Sequence, residues 1–148
     1  MFSSYGLQHI FILRLLKNYC FPSISSLHNL VFLTSAANLE PQELGFYDFV
    51  RTRTGAFSPY SQEILDDLQR AGLISTGCQV TSKGRVFCNY HGISLAPFLP
   101  FWKLCTDIVN CYHGRLDNLK KVVFHHVSFR RVHLYEEIFK TKQICQKI

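Results

Sequence analysis

Apolar side chains recur at intervals of three and four along most of this chain, and as far as Gly114 a proline or glycine interrupts each run before it exceeds about four turns. A chain patterned this way has to pack several short amphipathic helices side by side. Residues 7–20 put Ile12, Leu15, Leu16 and Tyr19 on one helical face and Arg14, Lys17 and Asn18 on another, and Pro22 ends the run. Ser23–Ser26 can cap a second helix with Leu27, Leu30, Val31 and Thr34 on its buried side. Gly45 breaks the pattern, and residues 46–53 alternate as a strand, Phe46, Asp48, Val50 and Thr52 against Tyr47, Phe49, Arg51 and Arg53. Ser58 and Pro59 supply an N-cap and a first-turn proline, with Ser61 a competing cap, for a third helix that carries Ile64, Leu65 and Leu68 and stops near Gly72.

Leu73–Thr76 and Gln79–Thr81 read as two short strands turned tightly at Gly77, and Thr81 or Ser82 opens a fourth helix through Val86, Phe87 and Tyr90. Helix, helix, helix, small hairpin is the order of a winged helix. The expected fold is therefore mainly α, with a winged-helix-like core of three helices plus a small β-hairpin over residues 7–91. Additional C-terminal helices form an extension over 92–148, all within a single domain of residues 1–148. In that extension a fifth helix carries Phe101, Leu104, Cys105, Ile108 and Tyr112 and closes at Gly114, and a sixth carries Leu116, Leu119 and Val123 and ends around His125. Residues 134–148 suggest one more, with Leu134, Ile138 and Cys145 on one side and Lys140, Lys142 and Lys147 near its C-terminal end.

The length, 148 residues, suits one hydrophobic core, and 47% apolar and 14% aromatic residues are enough to fill it. Most of the 13 Phe and 7 Tyr are expected inside. No stretch approaches the roughly 20 apolar residues of a membrane span, and Arg14 interrupts the run Ile10–Leu13 that could otherwise pass for a secretory signal. Six scattered cysteines, Cys20, Cys78, Cys88, Cys105, Cys111 and Cys145, suit packed thiols in a reducing cytoplasm rather than a disulfide framework. They include no Cys-x2-Cys knuckle. The close Cys/His pairs, Cys88 with His91 and Cys111 with His113, are too few for a metal site, so no metal or other cofactor is expected.

Net charge is +6, divided unevenly. Residues 1–74 hold five basic and six acidic side chains, and residues 75–148 hold eleven basic and four acidic, so the second half is the one suited to meet an anion.

Four segments carry a family resemblance: Leu27-His28-Asn29-Leu30-Val31-Phe32-Leu33, then Phe57-Ser58-Pro59-Tyr60-Ser61-Gln62-Glu63-Ile64-Leu65-Asp66-Asp67-Leu68, then Gly72-Leu73-Ile74, then Val80-Thr81-Ser82-Lys83-Gly84. In this order the chain resembles, over roughly residues 7–125, the YwgA-like family of small prokaryotic proteins and, more distantly, the Panacea (SocA-like) antitoxin domain. Members show a leucine-rich helix, a YGPYS turn opening a helix, a GLI step and an LTxxG strand-to-helix step. This chain departs at His28-Asn29, where the family has a polar or basic pair, and at Phe57-Ser58, which replaces Tyr-Gly. The resemblance implies a helical, winged-helix-like fold in a phage-defence or toxin–antitoxin setting, and no catalytic residues.

The third helix, which would read a DNA groove in a winged helix, carries Glu63, Asp66 and Asp67 against Arg70, and carboxylates are repelled by phosphate. Gln62, Glu63, Asp66, Asp67 and Arg70 are therefore read as a protein-partner face, toward a toxin, nuclease or other defence component. The alternative is a DNA-binding regulator using Arg51, Arg53, Lys83, Arg85, Lys120, Lys121, Arg130 and Arg131 on strand, wing and second half. Phe124, Phe129 and Tyr135, interleaved with His125, His126, Arg130, Arg131 and His133, could stack single-stranded bases, though core packing is the ordinary role. No nucleophile elbow, phosphate loop or paired-carboxylate motif is present; His125-His126 with Asp117 is the best acid–base grouping, and the expectation is a non-catalytic binding module.

Overall fold

Where the sequence supplies a cap, a helix starts, and where it supplies a left-handed glycine, a helix stops. The computed structural model describes residues 6–37, 46–112 and 114–139. Within them α1 spans Leu7–Asn18, α2 Ile24–Ala37, β1 Val50–Thr52, β2 Gly55–Phe57, α3 Pro59–Arg70 and α4 Ser82–His91. A 3-10 segment over Gly92–Phe98 leads into α5 at Leu99–Cys111, and a 3-10 turn at Leu116–Asn118 leads into α6 at Leu119–His125 and α7 at Val127–Arg130. The chain is mainly helical with one small two-stranded antiparallel sheet. No helix among the described residues is long and apolar enough to cross a membrane.

The third helix shows the local logic most clearly. Ser58 Oγ accepts the Ser61 N–H at 3.0 Å and donates to Asp48 Oδ1 at 2.6 Å, while Asp48 Oδ2 accepts the Tyr60 N–H at 2.8 Å. Ser58, not Ser61, is the cap; such a cap contributes about 1 kcal/mol, and the carboxylate also complements the positive end of the helix. At the other end Gly72 adopts φ +77°, and the N–H groups of Gly72 and Leu73 donate to the carbonyls of Gln69 and Leu68. This is the paired C-terminal closure that a left-handed glycine permits.

The Leu73 carbonyl then receives both the Thr81 N–H and the Thr81 hydroxyl, and Thr81 Oγ accepts the Gly84 N–H at 3.0 Å to cap α4. A side-chain carbon on Gly84 would collide with that same carbonyl, so the start of α4 can press on the end of α3 only with glycine here. The hairpin expected over 73–81 shrinks to one antiparallel bridge, Ile74 with Val80, turned through Cys78 at φ +61°.

The sheet forms earlier in the chain. Instead of one strand over 46–53, the chain doubles back at Arg53-Thr54, pairing Val50 with Phe57 and Thr52 with Gly55. The alternation fails because Phe46 and Phe49, of opposite parity, are both fully buried.

α2 is the central element: every residue from Ser26 to Ser35 is buried, so it packs on all sides rather than along one stripe. Its polar side chains then need partners inside. Asn29 Oδ1 accepts the Ala56 N–H at 3.0 Å and its Nδ2 donates to the Thr54 carbonyl at 3.4 Å; His28 Nδ1 accepts the Ser58 N–H at 3.0 Å and its Nε2–H faces Gln62 Oε1 at 3.3 Å. The His28 ring stacks on Phe57 with centroids 4.6 Å apart. His28 and Phe57-Ser58 therefore touch each other. Gly55, at φ +124°, lies so close to Asn29 that no larger residue fits.

Two aromatic knots fill the rest. Phe11 meets Phe46, Phe101 and Trp102 at 5.3–5.8 Å, and Phe32 meets Phe49 and Phe139 at 5.3–5.4 Å. On α5 the buried side chains are Phe101, Trp102, Cys105 and Val109, with Leu104, Ile108 and Tyr112 half-buried, so the stripe is turned slightly from the expected one.

The helix expected from residue 134 does not start there. Tyr135 takes φ +70°, and Glu137 bridges Val50, so residues 135–138 run beside β1 instead, with Arg51 N–H donating to Glu136 O and Ile138 N–H to Phe49 O. The remainder of that expected helix, with Lys140, Lys142, Cys145 and Lys147, lies outside the described residues, as does Gly45.

Candidate interaction surface

The face assigned to α3 separates into two parts. Glu63, Asp66 and Arg70 are exposed, whereas Gln62 and Asp67 are half-buried and point toward neighbours. Gln62 joins His28 to Asp66, its Nε2 donating to Asp66 Oδ1 at 3.2 Å. Asp67 is held by the buried His9 of α1, Nε2 to Oδ2 at 3.0 Å, and by Arg70 one turn along. Because His9 Nδ1 accepts the Gly6 N–H, its Nε2 carries the proton given to Asp67. Asp67 therefore helps fix α3 on α1, and the outward acidic groups are Glu63 and Asp66.

α4 carries the larger surprise. Val86 and Tyr90, which the sequence places on this helix, are 68% and 79% exposed, and Ile93 just beyond it is 83% exposed. Spacings of four and three keep the three on one side. The buried side of α4 is made instead by Gly84 and Cys88, with Phe87 half-buried against it. The helix is apolar on two sides, and spacing alone cannot say which one faces inward. Its charged residues, Lys83 and Arg85, are both basic and exposed, and it carries no carboxylate.

The basic residues are brought to different places. Arg51 is half-buried; its guanidinium donates to the carbonyls of Phe129 at 3.3 Å and Val132 at 2.6 Å and lies 4.8 Å over the Phe129 ring. Those donors hold the chain together. Arg53 is exposed at the hairpin turn, and Arg130 and Arg131 are exposed beside the segment that Arg51 grips. Lys83 donates to the Ala71 carbonyl, Lys120 lies 5.8 Å from the Phe124 ring centre, and Lys121 is exposed with its carbonyl bonded to His125 Nδ1.

Phe129 is fully buried and Phe124 packs edge-on against it at 5.0 Å, which leaves Tyr135 as the exposed aromatic of the three read as a stacking surface. His126 caps α7 by accepting the Ser128 N–H through Nδ1 and meets the Phe32 ring edge-on; burial pushes its pKa down. Among the described residues no group of three or more His, Cys, Asp or Glu could hold a metal ion. The described cysteines are free thiols, Cys20 and Cys111 exposed and Cys88 and Cys105 buried, with burial pushing Cys105 up to about 12.

Comparison of the chain with family models, with curated proteins and with solved structures gives no match. The resemblance stated above thus rests on its quoted segments alone.

Proposed function

We propose that the chain is a non-catalytic binding module, an adaptor or antitoxin-like protein, that docks a partner protein on α4. One observation carries this reading: three large apolar side chains, Val86, Tyr90 and Ile93, stand in solvent at the spacing by which a helix enters an apolar groove. The order of α1, α2 and α3 followed by the Ile74–Val80 bridge supports a winged-helix-like core, with α4 presented just after the wing. The surrounding charge selects the partner's chemistry. Lys83 favours carboxylates around the partner's groove, and Glu63 and Asp66 on α3 would meet basic groups farther out. A toxin, nuclease or other defence component of the cytoplasm fits the resemblance.

A photo-crosslinking residue at position 90 tests this directly. It should give one dominant adduct in host cells that a Val86→Asp change removes, while the same residue at position 103, exposed on α5, gives none. Equal adducts from both positions, or an adduct indifferent to Val86→Asp in a folded protein, would overturn the reading.

The DNA-regulator reading keeps one supporting observation. Arg53, Arg130 and Arg131 are exposed on segments that β1 holds next to each other. Duplex binding that falls steeply with salt, and that Arg130→Ala with Arg131→Ala weakens for every sequence alike, would favour it.

A further inference from the structure

A cleft of about 450 Å³ opens between the turn that joins α1 to α2 and the tight turn over residues 76–80. Its volume lies in the range of small-molecule sites, roughly 300–1,000 Å³. Leu27 and Leu65, both buried, form part of its floor, and Tyr19 and Phe21 line its α1 side. Lys17 and Arg85 are the charged groups in the lining, and no Asp or Glu is among the residues that line it.

The two cations differ in what they already hold. Lys17 donates to Asn89 Oδ1 on α4, which fixes its ammonium at the cleft. The Arg85 guanidinium has no hydrogen-bond or ion-pair partner among the described residues, so its donors are open to a ligand. Cys78 reaches the lining from a left-handed backbone, a conformation that non-glycine residues rarely adopt. Burial, with Asp66 adding to it, raises the pKa of that thiol and keeps it neutral. Asp66 itself is outside the lining and receives Gln62. The lining therefore mixes apolar side chains with polar ones, and it carries two positive charges and no carboxylate of its own.

We propose that this cleft binds a small amphipathic anion, an apolar chain or ring bearing a carboxylate or phosphate head, with the head on Arg85 and Lys17 and the body against Tyr19, Phe21 and Leu27. Such a ligand satisfies the open guanidinium by a bidentate contact and covers the aromatic wall in one step. The site is separate from the outward stripe of α4, because Arg85 lines the cleft while Val86, Tyr90 and Ile93 do not.

The test uses octanoate and phenyl phosphate as probes, with 1-octanol and inorganic phosphate as the two half-molecules, followed by amide resonances of the full chain. Both probes should saturate and shift residues 17–24 and 76–80, and each half-molecule should bind at least about tenfold more weakly. Arg85→Gln, at an exposed position, should weaken the probes by a similar factor and leave the spectrum otherwise folded. Octanol binding as tightly as octanoate, shifts centred elsewhere, no saturation by either probe, or affinity unchanged by Arg85→Gln would each overturn the proposal.

Discussion

Replacing Asn29 with alanine should remove the side-chain hydrogen bonds that tie α2 to the β1–β2 hairpin. The side chain is 1% exposed and meets both a backbone donor and a backbone acceptor of the hairpin, the Ala56 N–H and the Thr54 carbonyl. Ala56 is buried, so its N–H would lose its partner with no water at hand, a penalty of about 1–3 kcal/mol. Thr54 is exposed and its carbonyl can turn to water, so it adds little. The void left against Gly55 contributes on the order of 1 kcal/mol more. The expected loss is about 2–4 kcal/mol, which for a chain of this size lowers Tm by roughly 6–12 °C. Urea titration followed by circular dichroism measures it, with an unchanged slope showing that the unfolded state is not the source. Asn29→Asp supplies the control: it keeps the acceptor for Ala56, but burial raises the folded-state pKa of the new carboxyl. Its stability should therefore be greatest below the unfolded pKa, about 3.9, and fall as pH rises. A loss below about 1 kcal/mol for Asn29→Ala would refute the claim that this side chain holds the hairpin.

Two further perturbations probe the same framework. Burial lowers the His28 pKa against the opposing effects of Gln62 and Asp48, and its Nδ1 is already occupied as an acceptor, so the fold favours neutral imidazole. The stability this contributes is present above the unfolded pKa, about 6.5, and is lost as pH falls from there toward the lower folded value; the urea midpoint between pH 7.5 and 5 should show it, and His28→Gln should reduce the slope, to which His126, also lowered by burial, adds. A slope unchanged in His28→Gln would contradict the assignment. Gly84→Ala should destabilise by about 1–3 kcal/mol because the added carbon meets the Leu73 carbonyl, whereas Gly92→Ala, helical in backbone and open in space, should stabilise by about 0.5–1 kcal/mol. Equal effects at the two glycines by thermal melting would show that packing at Gly84 is not the cause.

The parts of this fold that could be read from sequence are those whose physics is local. Ser58-Pro59 and Thr81 start helices through bonds three residues long, and Gly72 ends one by its own backbone freedom. Features decided by distant segments could not be read in the same way. The sheet turns at Arg53-Thr54 because Gly55 can lie against Asn29, 26 positions earlier in the chain, and no period in residues 46–57 announces that. Residues 135–138 bend alongside β1 through a single bridge at Glu137 although Leu134 and Ile138 have helical spacing, because β1 offers unpaired backbone groups there. The candidate surface divided along the same line. The acidic character of α3 was visible, but the loss of Asp67 to His9 and the outward turn of Val86 and Tyr90 depend on which side of each helix α1 covers.

The partnership between β1 and residues 135–138 also imposes an order on the life of the chain. From Arg51 to Glu136 is about 85 residues, which a ribosome adds in roughly 4–17 s at 5–20 residues per second. A hairpin forms in microseconds, so for nearly all of that interval β1 has an open edge with Arg51 and its neighbours unsatisfied. The nascent chain is thus exposed to strand addition by other chains until residues 135–138 emerge. Any truncation that removes residues 135–138 would make that vulnerable state permanent.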